Sequence, residues 1–411
     1  MSDIQKFDRA DTRVRADEGL GGAVRGFVDR MRSGDLGVLP VLLGLILIAI
    51  VFSSLNPVFM RPANLTNLLF DAAAVGLISL GVVFVLLLGE IDLSIGSMSG
   101  VASAILGVLW VNAGVPWPLA LLAALAAGAV TGFVYASLLN RFGMPSFVST
   151  LAGLLALLGL QLYLLGNSGS INLPFQSFPI RFGQTMVMPG WLSYLLAVIP
   201  GAAIFAFGLQ TRTLRAQANL SVPSMSVLIV KAAGLNAIIL LAVWYLNQGR
   251  GVPAMFVFFV VIVTGMEYVL TRTQFGRSIL AVGGNREAAR RAGINVKHIR
   301  IYCFMMCSAF AAFGGVLAAS RLASASRQAG TGDVNLNAIA AAVIGGTSLF
   351  GGRGSAWSAL LGVLVIQAIS NGLTLLNLSS SLRYMILGAV LAIAVIVDSL
   401  ARQSRASHGR A

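Results

Sequence analysis

A chain of 411 residues in which 57% are hydrophobic and 10% charged, against roughly a quarter charged in soluble domains, is not an ordinary water-soluble globule. The formal charge of +14 invites a nucleic-acid reading, which the placement of the cations excludes below. Two histidines and two cysteines leave no metal-ligand set and no disulfide framework: Cys303 and Cys307 stand one helical turn apart in an apolar run, His298 in a basic loop and His408 in the tail.

The first 36 residues are polar. Residues 1–19 carry charges of both signs and few large apolar groups, the composition of a disordered tail. Val24, Phe27, Val28 and Met31 then recur at helical spacing opposite Arg25, Arg30 and Arg32, which fits a short interfacial helix or an entry to the first span. No small-residue cleavage site accompanies the first apolar run, so that run is expected to be retained.

A hydrocarbon core of about 30 Å takes about 20 apolar residues per helix. Runs of that kind cover 37–55, 70–89, 94–112, 117–138, 147–166, 189–208, 227–246, 252–270, 301–319, 335–350, 355–376 and 382–398. The expected fold is therefore all-α, a polytopic transmembrane helix bundle of about 12 hydrophobic segments making 10–12 crossings. The tenth segment is cut short by Gly345 and Gly346 and is read as either a crossing or re-entrant. Ala206 to Ser226, with Thr211, Arg212, Thr213 and Arg215, reads as polar and irregular. Trp110 and Trp117 flank a break at Asn112 to Pro116, and the spacings Gly96/Gly100 and Gly128/Gly132 permit close helix approach.

Alternate loops carry the charge unequally. Of the 28 Lys and Arg residues, seven precede residue 37 and seven lie in 271–300, on the same side as Arg141, Arg212, Arg215, Arg353, Arg402, Arg405 and Arg410. Arg61, Arg181, Arg250, Arg321, Arg327 and Arg383 fall on the other side, and Lys231 within a span. This bias places the N- and C-termini in the cytoplasm and explains the charge as topology rather than nucleic-acid binding. The expected organisation is a cytoplasmic tail 1–36, a transmembrane domain 37–398 with a cytoplasmic loop 271–300, and a cytoplasmic tail 399–411.

Three places can carry function. Glu90 and Asp92 sit between long apolar runs in Gly89-Glu90-Ile91-Asp92-Leu93-Ser94-Ile95-Gly96. A charge facing lipid near the bilayer centre costs about 2.5 to 3.5 kcal/mol, so both should face a polar cavity, the bundle interior or the interface. No histidine, metal cluster or nucleophile accompanies them, which argues against catalysis and leaves a pathway or gate role beside structural pairing. In the loop 271–300, Asn285 can cap a short helix with Glu287 in its first turn, Arg290 and Arg291 in its last and Gly293 as its stop. About two turns are not stable alone in water, so this helix must dock on a soluble partner or on its own bundle. Gly345 to Ser355 begins like a phosphate-binding loop, but Gly352 and Arg353 stand where Lys and Ser/Thr are needed, so it reads as a tight turn. Asp71 and Asp333, each at the start of a span, read as helix caps or substrate contacts.

Together these places resemble the permease subunits of bacterial binding-protein-dependent (ABC) sugar importers, the ribose and xylose group. The resemblance is carried by Glu90-Ile91-Asp92-Leu93-Ser94-Ile95-Gly96-Ser97 and Pro145-Ser146-Phe147-Val148-Ser149-Thr150-Leu151-Ala152-Gly153. It continues through Phe275-Gly276-Arg277, Gly283-Gly284-Asn285, Glu287-Ala288-Ala289-Arg290, Gly293-Ile294-Asn295-Val296, and Ala338-Ile339-Ala340-Ala341 with Gly345-Gly346-Thr347-Ser348-Leu349. It covers about residues 37 to 398, and Arg250-Gly251-Val252-Pro253 with Glu90 before Ile91-Asp92 look like the D-xylose type. The resemblance implies a transport subunit of the inner membrane with no cofactor or ATPase site of its own. It also implies a permease homodimer in the lipid bilayer, a cytoplasmic ABC ATPase subunit and an extracytoplasmic sugar-binding protein. Asn285, Arg286, Glu287, Ala288, Ala289, Arg290 and Gly293 would then engage the ATPase, and Glu90, Asp92 and Ser94 would belong to the translocation pathway or its gate. The alternative is an ion-coupled secondary transporter, with which the two carboxylates are compatible.

Overall fold

A computed structural model describes residues 38–407 together with 19, 21, 22 and 25. Apart from those four positions the tail 1–36, with its amphipathic stretch 20–32, lies outside the described residues, as does His408. Among the described residues from 38 on, fifteen α-helices follow in chain order: α1 Leu39–Leu55, α2 Pro62–Leu87, α3 Ile95–Gly107 with a π turn Val108–Asn112, α4 Trp117–Phe142 and α5 Ser146–Leu165. Then come α6 Phe178–Gln184, α7 Gly190–Gln217, α8 Met225–Asn247, α9 Ala254–Arg272 and α10 Gln274–Gly284. Last are α11 Arg286–Arg291, α12 Val296–Leu322, α13 Val334–Ile344, α14 Trp357–Leu375 and α15 Ser380–Ser407.

Among the described residues nine helices are long and apolar enough to cross a membrane: α2, α3 with its π turn, α4, α5, α7, α8, α9, α12 and α14. Helices α1 and α13 are apolar but shorter, and α15 runs on past the expected end at 398 to Ser407.

Several boundaries depart from expectation for identifiable reasons. Helix α2 begins at Pro62 rather than 70, because Pro at the first helical position is pre-organised for it. Asp71 is therefore well inside a helix and caps nothing. The stretch read as irregular from 206 is helical to Gln217. Its polar residues close the turn that follows: the guanidinium of Arg212 donates to the Pro223 carbonyl, and Arg215 Nε donates to the Ser221 carbonyl at 2.6 Å. Helix α6 and a two-stranded antiparallel ribbon, β1 Ser170–Asn172 against β2 Ser324–Ser326, add to the helical segments.

The chain divides into two compact units. The smaller is built on Met188–Val252 and holds α7 and α8, which pack together where Gly201 N donates to Asn236 Oδ1 at 2.9 Å. The larger comprises Gly37–Val187 and Pro253–Asp398. At its centre α2 is buried on all sides from Ala72 to Leu87, apart from Val75, as a helix that is apolar all round must be.

Helix α12 serves as a ruler for the larger unit. Gly132 and Gly128 of α4 lie on the carbonyls of Phe304 and Ser308, Gly81 of α2 lies on that of Cys307, and Gly315 lies on the backbone of Ser99 in α3. A Cβ at any of them would collide with backbone, so the glycines set how closely these helices approach. At 1.5 Å per residue, Gly315 is about 22 Å along α12 from Arg300, and Ser99 is four residues into α3, so α3 begins roughly halfway along α12. The chain covers that rise from Leu87 without helix.

Residues 324–333 mirror this break. Ala325 lies against Gly107, the Ala329 carbonyl faces Gly100 and the Gly330 carbonyl faces Gly96, so the segment runs back along α3 to its first turn. There α13 starts, and its Asn335 Oδ1 accepts from Gly96 N. Helix α13 then packs antiparallel on α14, Gly362 against Ala341 and Gly345 against Ser358. Helices α3 and α13 thus meet at their N-termini in the middle of the unit and run to opposite ends.

Candidate functional site

The non-helical connection 88–94 gathers segments far apart in sequence. Gly352 N donates to the Leu87 carbonyl at 2.8 Å. Ser146 Oγ and Thr150 Oγ1, both on the first turns of α5, accept from Ile91 N and Leu93 N at 3.2 and 3.1 Å. Gly283 sits so close to the Leu87 carbonyl that a Cβ there would clash. Gly351 and Gly352, at φ +83° and +75°, take the left-handed backbone that lets the glycine-rich turn lie against Gly89 and Gly283. Glu267 Oε2 holds the far end of that turn, accepting from Ser355 Oγ and Ala356 N at 2.7 and 2.8 Å. The four motif-bearing segments singled out in the sequence therefore form one junction at one end of the larger unit.

Glu90 is the charged centre of this junction. Its Oε1 lies 2.7 Å from an Arg286 nitrogen and 3.2 Å from an Arg300 nitrogen. The Glu90 side chain is 11% exposed, Arg300 14% and Arg286 47%. One carboxylate thus faces two guanidinium groups, one from α11 and one from α12.

Asp92 is turned inward and is buried. Its Oδ1 accepts from both Ser94 N and Ser94 Oγ, at 2.8 and 2.7 Å, which fixes the chain just before α3. Glu90 and Asp92 do not share a helix, as the break in the chain sends one to the junction surface and the other into the core.

The loop 271–300 folds as two helices rather than one. Thr273 caps α10, accepting from Gly276 N at 3.2 Å, and Ile279 and Val282 are buried, with Phe275 half-buried. Asn285 caps α11, accepting from Ala288 N at 2.9 Å, and Gly293 ends the segment at φ +84°. Helix α11 has two faces. Ala289 is buried and Arg286 reaches Glu90. Asn285, Glu287, Ala288, Arg290, Arg291 and Gly293 are exposed, with Glu287 and Arg290 paired at 2.9 Å on the outer surface. The helix is therefore docked on its own bundle through Ala289 and Arg286, and its remaining residues face outward.

The remaining candidates lie elsewhere. Asp71 pairs with Arg321 at 2.8 Å, and Arg321 sits 5.2 Å over the Phe70 ring. Asp333 occupies the N-cap position of α13 without bonding its backbone; its Oδ2 accepts from Asn337 Nδ2 at 2.9 Å. Cys303 and Cys307 are buried free thiols, and His298 is exposed. Among the described residues no cluster of three His, Cys, Asp or Glu could hold a metal ion. In the sequence Arg300 is visible only as charge, and Ser146 and Thr150 only within the resemblance. Helix α10 has a local signal that goes unread beside the caps of α11: Thr273 followed by apolar residues at 275, 279 and 282.

A family model described as branched-chain amino acid transport system / permease component matches residues 64–395. The xylose transport system permease protein of Escherichia coli K12 is 32% identical over 374 residues, covering 91% of this chain and 94% of its own length. Its counterpart in Haemophilus influenzae is 34% identical over 376 residues, covering 90% and 98%. The ribose import permease protein of Bacillus subtilis is 32% identical over 357 residues, covering 87% and 91%. No solved structure matches.

Proposed function

The chain belongs to the branched-chain amino acid transport system / permease component family, and from that premise we propose that it forms the translocation pathway of an ABC sugar importer. The cargo in this reading is a monosaccharide, D-xylose first, delivered by an extracytoplasmic binding protein and powered by a separate cytoplasmic ATPase. The family description speaks of amino acids, whereas the curated relatives that cover nearly the whole chain are xylose and ribose permeases. Whole-length relatives bear more closely on cargo than a family-wide description does. Twelve crossings of the inner membrane, both termini cytoplasmic and a homodimeric permease complete the proposal.

The observation that carries this reading is the helix α11, whose outer face is exposed and charged while its inner face is built into the junction at Glu90. A helix of six residues held so is a lever: whatever docks on Glu287, Ala288 and Arg290 acts on the bundle behind it. ATP closing a partner ATPase pair would shift the docked helix and bias the permease between inward and outward openings. Glu90, Asp92 and Ser94 are proposed to belong to the gate. Non-helical backbone at membrane depth is tolerated where protein buries it or where it lines a cavity, and discontinuous helices flank transport sites.

Uptake of labelled D-xylose, with ribose beside it, into vesicles carrying this chain, its ATPase and its binding protein tests the proposal. ATP-dependent uptake of xylose is expected. Asp92, a buried carboxyl, is the feature that favours the ion-coupled alternative; uptake driven by an ion gradient without the partners would establish that alternative instead.

A further inference from the structure

We propose that Glu90 is a positioning residue that relays movement of α11 to the mid-depth meeting point of α3 and α13, exchanging its hold on Arg286 while Arg300 keeps it neutralised. The inference rests on the reading of α11 as the helix that engages the ATPase.

A buried carboxylate held by one cation makes a poor switch, because breaking the pair strands a charge away from water. Glu90 has two cations on different elements. Arg300, on α12 and 14% exposed, is a fixed and shielded partner. Arg286, on α11 and 47% exposed, can return its guanidinium to water when it lets go. Release of Arg286 therefore leaves a paired carboxylate on one side and a hydrated cation on the other. The arrangement favours reversible opening of the α11 contact over permanent closure.

What Glu90 moves follows from the chain it sits on. Glu90 N still closes on the Val85 carbonyl at the end of α2, at 3.2 Å; beyond it the backbone leaves the helical ladder, and Ile91 N and Leu93 N hang on single hydroxyl groups of α5. Five residues on from Glu90 the chain enters α3, whose second residue, Gly96, is held by Asn335 at the start of α13. A shift at Glu90 is thus delivered halfway along α12, where the N-termini of α3 and α13 meet.

The opposite end of the same helix pair behaves differently. Asp71 of α2 and Arg321 of α12 pair at 2.8 Å, about 32 Å along α12 from Arg300, which is close to the thickness of a hydrocarbon core. That pair has no connection to α11. It pins α2 to α12 at the far end and leaves the junction end as the place where the relay acts.

The test is the ratio of ATPase activity with sugar-loaded binding protein to activity without it, in the reconstituted complex of permease, ATPase and binding protein. Glu90→Gln and Arg286→Gln are each expected to lower that ratio about tenfold, the size of an ordinary coupling free energy. Arg286→Lys is expected to recover most of it, and Asp71→Asn to leave it unchanged. Should Glu90→Gln fail to assemble, the half-exposed Arg286→Gln carries the test alone. An undiminished ratio in Arg286→Gln would overturn the relay, as would an equal loss in Asp71→Asn, which would make both pairs merely structural. A wild-type complex without ATP-dependent uptake would instead remove the underlying reading of α11.

Discussion

Asp92 shows what one buried carboxyl demands of its surroundings. Its Oδ1 takes two hydrogen bonds from Ser94, so Asp92→Ala leaves both donors without a partner and should cost on the order of 1–3 kcal/mol of stability. Asp92→Asn keeps an oxygen for both donors, so thermal unfolding of the purified permease should show a smaller loss for Asp92→Asn than for Asp92→Ala; equal losses would mean that the Ser94 bonds do not carry the effect. The sequence marks Glu90 and Asp92 clearly, as charges interrupting apolar runs. It hides their partners, since Arg286 and Arg300 lie about two hundred positions away and no local pattern joins them.

Helices are the most legible level of this molecule and their meeting points the least. Apolar runs of the right length predict where the long helices fall, and the caps at Asn285 and Gly293 mark α11, because those signals are local. The seven-residue α6 and the three-residue strands of the ribbon carry too little pattern to be read, and they are held by tertiary contacts with α3 and α12. The glycines are intermediate: Gly128 and Gly132 suggest close packing, and the structure supplies the partner, α12. Gly283 is the strictest case, pressed on the Leu87 carbonyl with Gly352 beside it. Gly283→Ala should separate α10 from the 88–94 connection and destabilise the junction by about 1–3 kcal/mol, the usual consequence of overpacking. Gly284, one residue on, has open space around a Cβ, so Gly284→Ala is the control that should retain wild-type thermal stability. The outer face of α11 answers to a different measurement. Replacing Glu287 and Arg290 together removes an exposed pair that contributes little to folding, so insertion should survive while stimulation of the ATPase is lost. Unchanged stimulation would place the ATPase contact elsewhere.

At the scale of the whole molecule, the two ends of the larger unit differ in charge and in chemistry, and that difference implies a sidedness. One end holds α10, α11, the glycine-rich turn and the Glu90 junction, with Arg272, Arg277, Arg290, Arg291 and Lys297 exposed around them. Cations of that density on the connections between apolar helices belong on the cytoplasmic side. The segment between α5 and α7 should then face outward, with Phe175 exposed on it. The protein lends itself to a direct check, because Cys303 and Cys307 are its only thiols and both are fully buried. A membrane-impermeant maleimide should therefore find no native target. With Phe175→Cys the reagent should label intact cells from outside, whereas with Arg291→Cys it should label only inside-out vesicles or permeabilised cells. Labelling of both positions from the same side would mean an even number of crossings between them, and would contradict the three alternating crossings of α7, α8 and α9 on which the twelve-segment topology depends.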